Sequence, residues 1–126
     1  MALHHQLPIH RKGSELLGVV ARIHAQMPRG FKRTVGDKIV SHCSEMLDLM
    51  ALANATKGAE RAQHLGDILK HNRAATVWLR VGFDLRAVST DPWSNAIQML
   101  DSVGKQAQGW LNKTNGTKQR EKAPAA

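Results

Sequence analysis

The sequence predicts an all-α protein, an up-and-down antiparallel four-helix bundle. In four segments, apolar residues recur at helical spacing, and none of these segments shows the alternation that is typical of a strand. Short turns with proline, glycine or polar residues separate the segments, so neighbouring helices are expected to run antiparallel. A length of 126 residues fits one domain. We predict a flexible N-terminal arm at 1–13, the bundle at 14–112 and a disordered basic tail at 113–126.

The first predicted helix covers residues 14–26. Ser14 is a favourable N-cap residue, and Glu15 follows it near the positive end of the helix dipole. Pro28 ends the helix, because a proline disfavours helical geometry in the residue before it. The expected buried face consists of Leu16, Val19, Val20, Ile23 and Met27.

The second and third predicted helices are joined by a turn with the sequence NATKG at 54–58. The second ends near residue 53 and has one apolar side and one side rich in acidic and hydroxyl groups. The third, at 59–88, is apolar on almost every side in its second half. The narrow polar strip that remains there consists of Arg73, Arg80 and Asp84. Such a helix is buried on several sides, which in a small domain indicates contact with another subunit.

The fourth predicted helix has a clear start signal. Thr90 or Asp91 can serve as the N-cap, and Pro92 occupies the first helical position. Apolar residues follow at coiled-coil-like spacing from Trp93 to Leu111. Glycines within helices cost about 1 kcal/mol each in helix propensity relative to alanine. We therefore expect three of them to be notches where helices pack closely, namely Gly36, Gly104 and Gly109.

The composition favours an anionic partner. Lysine and arginine outnumber aspartate and glutamate by 18 to 10, which gives a net charge of +8. A field of this sign attracts nucleic acid, a membrane surface or an acidic protein. No apolar run approaches the ~20 residues of a membrane span, so we expect no membrane partner. The single cysteine, Cys43, and the absence of a hydrophobic signal core indicate the cytoplasm.

Signatures of enzymes and metal sites are missing from the sequence. It contains no phosphate-binding glycine loop, no nucleophile elbow, no HExxH and no ExxH pair. His64 and His71 are seven residues apart, which is too far for chelation of one ion. Cys43 lies on an apolar row and is expected to be a small core residue. We expect no catalytic residue, no cofactor and no metal, and a protein that is not an enzyme.

Three motifs resemble those of a known superfamily. MPRGFKRTVGDKI at 27–39 combines a proline, basic residues and an aliphatic–Gly–x–Lys–aliphatic step. WLR follows at 78–80, and SVGKQAQGWLNKTN at 102–115. Their order and spacing, over about residues 14–113, are similar to those of the small four-helix-bundle proteins that include the accessory variability determinant (Avd) family of diversity-generating retroelements. The same superfamily holds the proteins encoded in intervening sequences of bacterial 23S ribosomal RNA genes.

The resemblance to the Avd branch implies a homopentameric barrel of five bundles with a positively charged surface. Proteins of that branch bind the reverse transcriptase of the retroelement and nucleic acid, template RNA or cDNA. They support mutagenic retrohoming without catalysing a reaction themselves. The alternative is the intervening-sequence branch, which shares the fold, has an unknown role and could bind RNA. The strongly basic balance and basic tail favour the Avd branch.

Basic side chains are the candidate contacts in either case. Few aromatic residues lie among them and tyrosine is absent, so contacts to the nucleic-acid backbone fit better than base stacking. The residues expected to bind nucleic acid or reverse transcriptase are Arg29, Lys32, Arg33, Lys70, Arg73, Arg80, Arg86, Lys105 and Lys113. The first three should lie at one end of the bundle.

Overall fold

The structure, a computed structural model, describes Leu3 and residues 7–122, with side chains described as far as residue 116. These residues form four long helices and no strand, as predicted. The helices are α1 (Pro8–Gln26), α2 (residues 29–55), α3 (Gly58–Asp84) and α4 (Thr90–Lys122). Each helix packs against the next along the chain, and α4 packs back onto α1, so the described chain forms a four-helix bundle.

The first part of α2 is irregular. An α-helical turn at Arg29–Phe31 leads into a π-helical segment at Lys32–Gly36, and a regular α-helix follows at Asp37–Ala55. A π-helical turn holds one more residue than an α-helical turn, so it changes which side chains face the core. Val35 and Gly36 are both buried at this point. The sequence motif that follows Pro28 therefore folds as a distorted entrance to the second helix.

The core is a single apolar cluster to which all four helices contribute. Cys43 is 1% exposed within it, which confirms the prediction that it packs as a small core residue. The largest completely buried side chains are Leu16, Ile39, Met46, Met50, Leu65, Ile68, Leu79 and Leu100. At the opposite end from Pro28, Arg61 donates from Nε to the carbonyl oxygen of Ala53 at 2.8 Å. Its guanidinium carbon also lies 5.4 Å from the ring centroid of Trp110, which connects the turn between α2 and α3 to α4.

Helix α1 begins at Pro8 rather than at Ser14, which corrects the predicted extent of the N-terminal arm. Pro8 is compatible with the first turn, where its missing N–H has no helical partner in any case. Ile9 and Gly13 are buried, so this stretch packs on the bundle. The rest of the predicted arm, apart from Leu3 and Leu7, lies outside the described residues.

Helix α4 extends past the boundary predicted at residue 112 and reaches Lys122. Thr114 is 8% exposed, and its hydroxyl donates to the carbonyl oxygen of Trp110 at 2.9 Å. The prediction of a disordered tail relied on the loss of apolar periodicity, but an established helix continues through polar residues at little cost because each adds a backbone hydrogen bond. The described part of that tail is therefore helical, and residues 123–126 lie outside the described residues.

Candidate nucleic-acid interface

One end of the bundle gathers four of the predicted contact residues. Arg29, Lys32 and Arg33 lie at the start of α2, and Arg86 lies in the turn between α3 and α4. Arg86 lines the same surface cavity as Pro28, so the two connections are neighbours. All of these cations are exposed except Lys32, which is half-buried. The expectation that the basic residues after Pro28 lie at one end of the bundle agrees with this arrangement.

The backbone around Arg86 explains its position. The N–H of Ala87 donates to the carbonyl oxygen of Gly82 at 2.8 Å, and that of Arg86 donates to Phe83 at 3.0 Å. This pair of bonds is the Schellman motif, in which the residue after the helix cap is left-handed and is usually glycine. Arg86 occupies that position with a φ of 60°. A strained backbone is therefore combined with an exposed cation, and α3 ends at Asp84 instead of at the predicted residue 88.

Contacts between α1 and α2 fix the basic end. His24 Nε2 lies 2.7 Å from Asp37 Oδ1, across the turn. A Cβ atom on Gly36 would lie 2.6 Å from Cδ2 of His24 and 3.0 Å from Sδ of Met27. Gly36 is therefore a packing notch, as predicted, and the imidazole fills it. A Cβ atom on Gly104 would lie 3.3 Å from Oδ1 of Asn72, which is closer than most Cβ contacts. A Cβ atom on Gly109 would have no neighbour within 4 Å, so Gly109 is not a packing notch within the described chain.

A second group of cations forms a row on the outer face of α3. Lys70, Arg73 and Arg80 are exposed and follow each other at spacings of three and seven residues, which place side chains on one helical face. Arg80 Nε lies 3.1 Å from Asp84, and Lys70 lies 3.9 Å from Asp67. Pairs this exposed contribute little to stability and remain available to a competing anion.

Arg73, at the centre of this row, makes no hydrogen bond or ion pair with any other described residue. Its charge is therefore available for a partner.

The second half of α3 and its C-terminal end also carry exposed apolar side chains. Val77 is 60% exposed and Leu85 is 48% exposed. Trp78 is half-buried against the edge of the core, and Nζ of Lys38 lies 5.9 Å from its ring centroid. The predicted surplus of apolar surface on the second half of α3 is thus present on the described chain. Trp93 also borders the row, because its ring centroid lies 5.9 Å from Cζ of Arg80, and it stacks on Phe83 at 4.2 Å between ring centroids.

The two remaining predicted residues are on α4 and do not join either group. Lys105 is exposed and pairs with Asp101 at 2.9 Å. Lys113 is exposed and lies 23 residues after Thr90, which corresponds to about 35 Å along the helix. The predicted set therefore divides into the basic end, the α3 row and these two separate lysines.

No group of three or more histidine, cysteine, aspartate or glutamate side chains within the described residues is placed to hold a metal ion. Burial raises the pKa of the Cys43 thiol to about 12, so the nucleophilic thiolate is not available near neutral pH.

Two histidine contacts have no signal in the sequence. His24 pairs with Asp37, and His42 Nδ1 lies 2.9 Å from His71 Nδ1. Both contacts join different helices, so only the register between helices could have revealed them.

Comparisons with known proteins leave the family open. No family model matches the chain, and no curated protein matches it significantly. Among the described residues, no helix is both long enough and apolar enough to cross a membrane.

Proposed function

We propose that this protein is a non-enzymatic accessory subunit of a diversity-generating retroelement. It binds template RNA or cDNA through phosphate contacts and recruits the reverse transcriptase, in support of mutagenic retrohoming. The observation that carries the nucleic-acid part is the row of exposed cations on α3, Lys70, Arg73 and Arg80. The retroelement itself rests on the resemblance of the motifs at 27–39, 78–80 and 102–115 to the Avd family.

The α3 row suits a phosphate backbone. From Lys70 to Arg80 the helix rises about 15 Å, so the three cations follow a line and do not converge on one point. Each phosphate that such a cation neutralises releases condensed counterions, which makes affinity depend on salt. Val77 lies between Arg73 and Arg80, and its aliphatic side chain has no group that could form a hydrogen bond with a base. Contacts to the backbone without sequence reading therefore fit this face.

Self-association is part of the proposal. Val77 and Leu85 are apolar and exposed; Val77 lies within the α3 row, and Leu85 directly follows the end of α3. On α2, the exposed carboxylates of Asp37, Glu45 and Asp48 offer a surface of opposite charge to the cations of a second copy. Contact between two different faces is heterologous and closes into a ring when the rotation allows. The number of five subunits comes from the resemblance alone.

Light scattering after size exclusion tests the assembly. Five copies of the 13.9 kDa chain predict a particle of about 70 kDa. Val77→Asp should reduce the mass to that of one chain without loss of helix content, because Val77 is already exposed in the folded monomer. A wild-type particle with the mass of a single chain at working concentrations would remove self-association from the proposal.

Binding to labelled RNA, single-stranded DNA and duplex DNA tests the nucleic-acid part. The double variant Arg73→Gln/Arg80→Gln should weaken binding to all three and should reduce the slope of log affinity against log salt by about 1.4–1.8. The matched control is Lys12→Gln/Arg22→Gln, which removes two positive charges from α1, a helix not in extensive contact with α3. Equal loss in both double variants would mean that net charge, and not the α3 row, governs binding.

Recruitment of the polymerase needs a separate experiment. The tagged protein should retain the reverse transcriptase encoded beside its gene, with and without nuclease treatment. The DNA around the gene of this protein and the reverse-transcriptase gene should also contain paired template and variable repeats. A gene that instead lies within a ribosomal RNA operon would favour the intervening-sequence branch and would contradict the retroelement role.

A further inference from the structure

Two imidazoles face each other across the contact between α2 and α3. Nδ1 of His42 lies 2.9 Å from Nδ1 of His71, and the ring centroids are 5.2 Å apart with an angle of 46° between the planes. Both residues are half-buried. The distance is that of a hydrogen bond, so one ring donates its Nδ1 proton and the other accepts it.

This contact depends on the number of protons that the pair carries. With both rings neutral, or with one ring protonated, one nitrogen still has a lone pair that can accept. With both rings protonated, both Nδ1 atoms are donors, so the hydrogen bond is lost and two positive charges face each other. The second proton is therefore incompatible with the observed geometry.

The surroundings of the pair oppose that second proton. Burial, the neighbouring His71 and the ammonium group of Lys38 lower the pKa of His42, and Glu45 partly counteracts them. On α3, the carboxylate of Asp67 precedes His71 by one helical turn and lies 3.9 Å from Lys70. No third metal ligand completes a site among the described residues, so the chemistry that this pair offers is proton sharing.

We propose that His42 and His71 form a proton-operated contact that joins α2 to α3 near neutral pH and opens in mild acid. The proposal does not depend on the proposed nucleic-acid binding. Loss of the histidine contact would weaken the packing of α2 against α3. The same packing includes Trp78 on α3, whose ring centroid lies 5.9 Å from Nζ of Lys38 on α2. Acid should therefore loosen these two helices locally, before the buried core unfolds.

The sign of the pH dependence follows from proton linkage. Since the pKa of His42 is lower in the folded state than its usual value of 6.5, the unfolded chain binds more protons once the pH falls below that value. The stabilisation is complete above pH 6.5 and is lost as the pH falls toward the pKa of the folded state. Other titrating groups add their own dependence, so a comparison of variants is needed.

Urea unfolding at several pH values from neutral to mildly acidic is the first test. The unfolding midpoint of the wild-type chain should fall more steeply with acid than that of His42→Gln, which cannot gain a proton at that position. The control is His64→Gln, which removes a half-buried histidine two turns before His71 on the same helix and should keep the wild-type dependence. Identical pH profiles for wild type and His42→Gln would overturn the proposal.

Nitrogen NMR of the imidazoles in the full wild-type chain gives a second test, which holds even if a variant fails to fold. The two rings should titrate as a coupled pair, with His42 still neutral at a pH just below its usual pKa of 6.5. In His71→Gln, the titration of His42 should move up toward its usual value. Titration of His42 at its usual pKa of 6.5, with both Nδ1 atoms protonated in the folded protein, would show that no shared proton joins the helices.

Discussion

Replacement of Arg86 by glycine should stabilise the fold and weaken binding to nucleic acid. Arg86 adopts a φ of 60° in a motif where glycine is the favoured residue. Its exposed guanidinium belongs to the basic end of the bundle, next to Pro28. The two effects therefore have opposite signs, which separates a structural role of the arginine from a binding role.

The expected gain in stability can be estimated from the backbone. A left-handed conformation costs a residue with a Cβ atom about 1–2 kcal/mol. Glycine avoids that cost but loses about 0.5–1 kcal/mol more backbone entropy on folding. The net gain of Arg86→Gly is therefore about 0.5–1 kcal/mol, or a rise in Tm of about 2–5 °C for a domain of this size.

Thermal and urea unfolding measure the gain, and anisotropy with labelled RNA at increasing salt measures the loss of affinity. Arg86→Lys is the matched control, because it keeps the positive charge and the strain and should leave stability and binding near wild type. Gly58 has a φ of 57° and no charged side chain, so it allows the free-energy cost of a left-handed backbone to be measured separately from the loss of a charge. There, Gly58→Ala should destabilise the fold by about 1 kcal/mol.

Two results would refute this reasoning. An Arg86→Gly variant that is less stable than wild type would mean that the arginine side chain makes a contact worth more than the backbone strain. A variant that is more stable and binds RNA with an unchanged salt slope would remove Arg86 from the interface, although the other cations of the basic end would remain candidates.

Three further predictions concern the core and the junctions. Gly36→Ala should destabilise the fold by about 1–2 kcal/mol in urea unfolding, because the steric conflict of the new Cβ atom with His24 exceeds the gain in helix propensity. A Cβ atom on Gly66 would have no neighbour within 4 Å, so Gly66→Ala should stabilise the fold by about 0.5–1 kcal/mol in the same assay. Arg61→Met should lower stability by about 1–2 kcal/mol through the lost hydrogen bond at the end of α2, and a smaller loss would contradict that role. Cys43 should resist thiol reagents at neutral pH until the chain unfolds, since burial raises its pKa to about 12; rapid labelling of the folded protein would contradict this.

Periodicity was sufficient to predict the helices because each one buries an apolar face. Leu16 and Val20 lie on the predicted face of the first helix, Leu100 lies within the apolar stretch of the fourth, and all three are completely buried. The ends of helices were harder to predict. Arg86 takes the left-handed position at the end of α3 that glycine usually occupies, so the sequence shows no signal for the end of this helix.

The candidate contact residues are proposed from their charge, and their arrangement depends on the fold. Their charge is visible in the sequence, and the spacing of Arg73 and Arg80 places them on one face. That Arg86 neighbours Pro28 depends on how the two connections meet at the end of the bundle, which no local pattern encodes. The pairing of His42 with His71 likewise depends on the register between two helices, to within about 1 Å.

The separation of the cations predicts how binding should depend on the length of the nucleic acid. From Lys70 to Asp84, where α3 ends next to Arg86, the helix rises about 21 Å, a length that about six base pairs of duplex span. Lys113 lies about 35 Å from the start of α4, on a different helix, and needs about ten base pairs to be reached from the basic end. We expect the salt slope for short duplexes to level off at about six base pairs, because Lys105 is paired with Asp101 and neither Lys105 nor Lys113 continues the α3 row. A salt slope that keeps rising up to ten base pairs, and that is smaller in Lys113→Gln, would contradict this expectation. It would show that one nucleic acid runs the length of the bundle, and less of this surface would then be left for the polymerase.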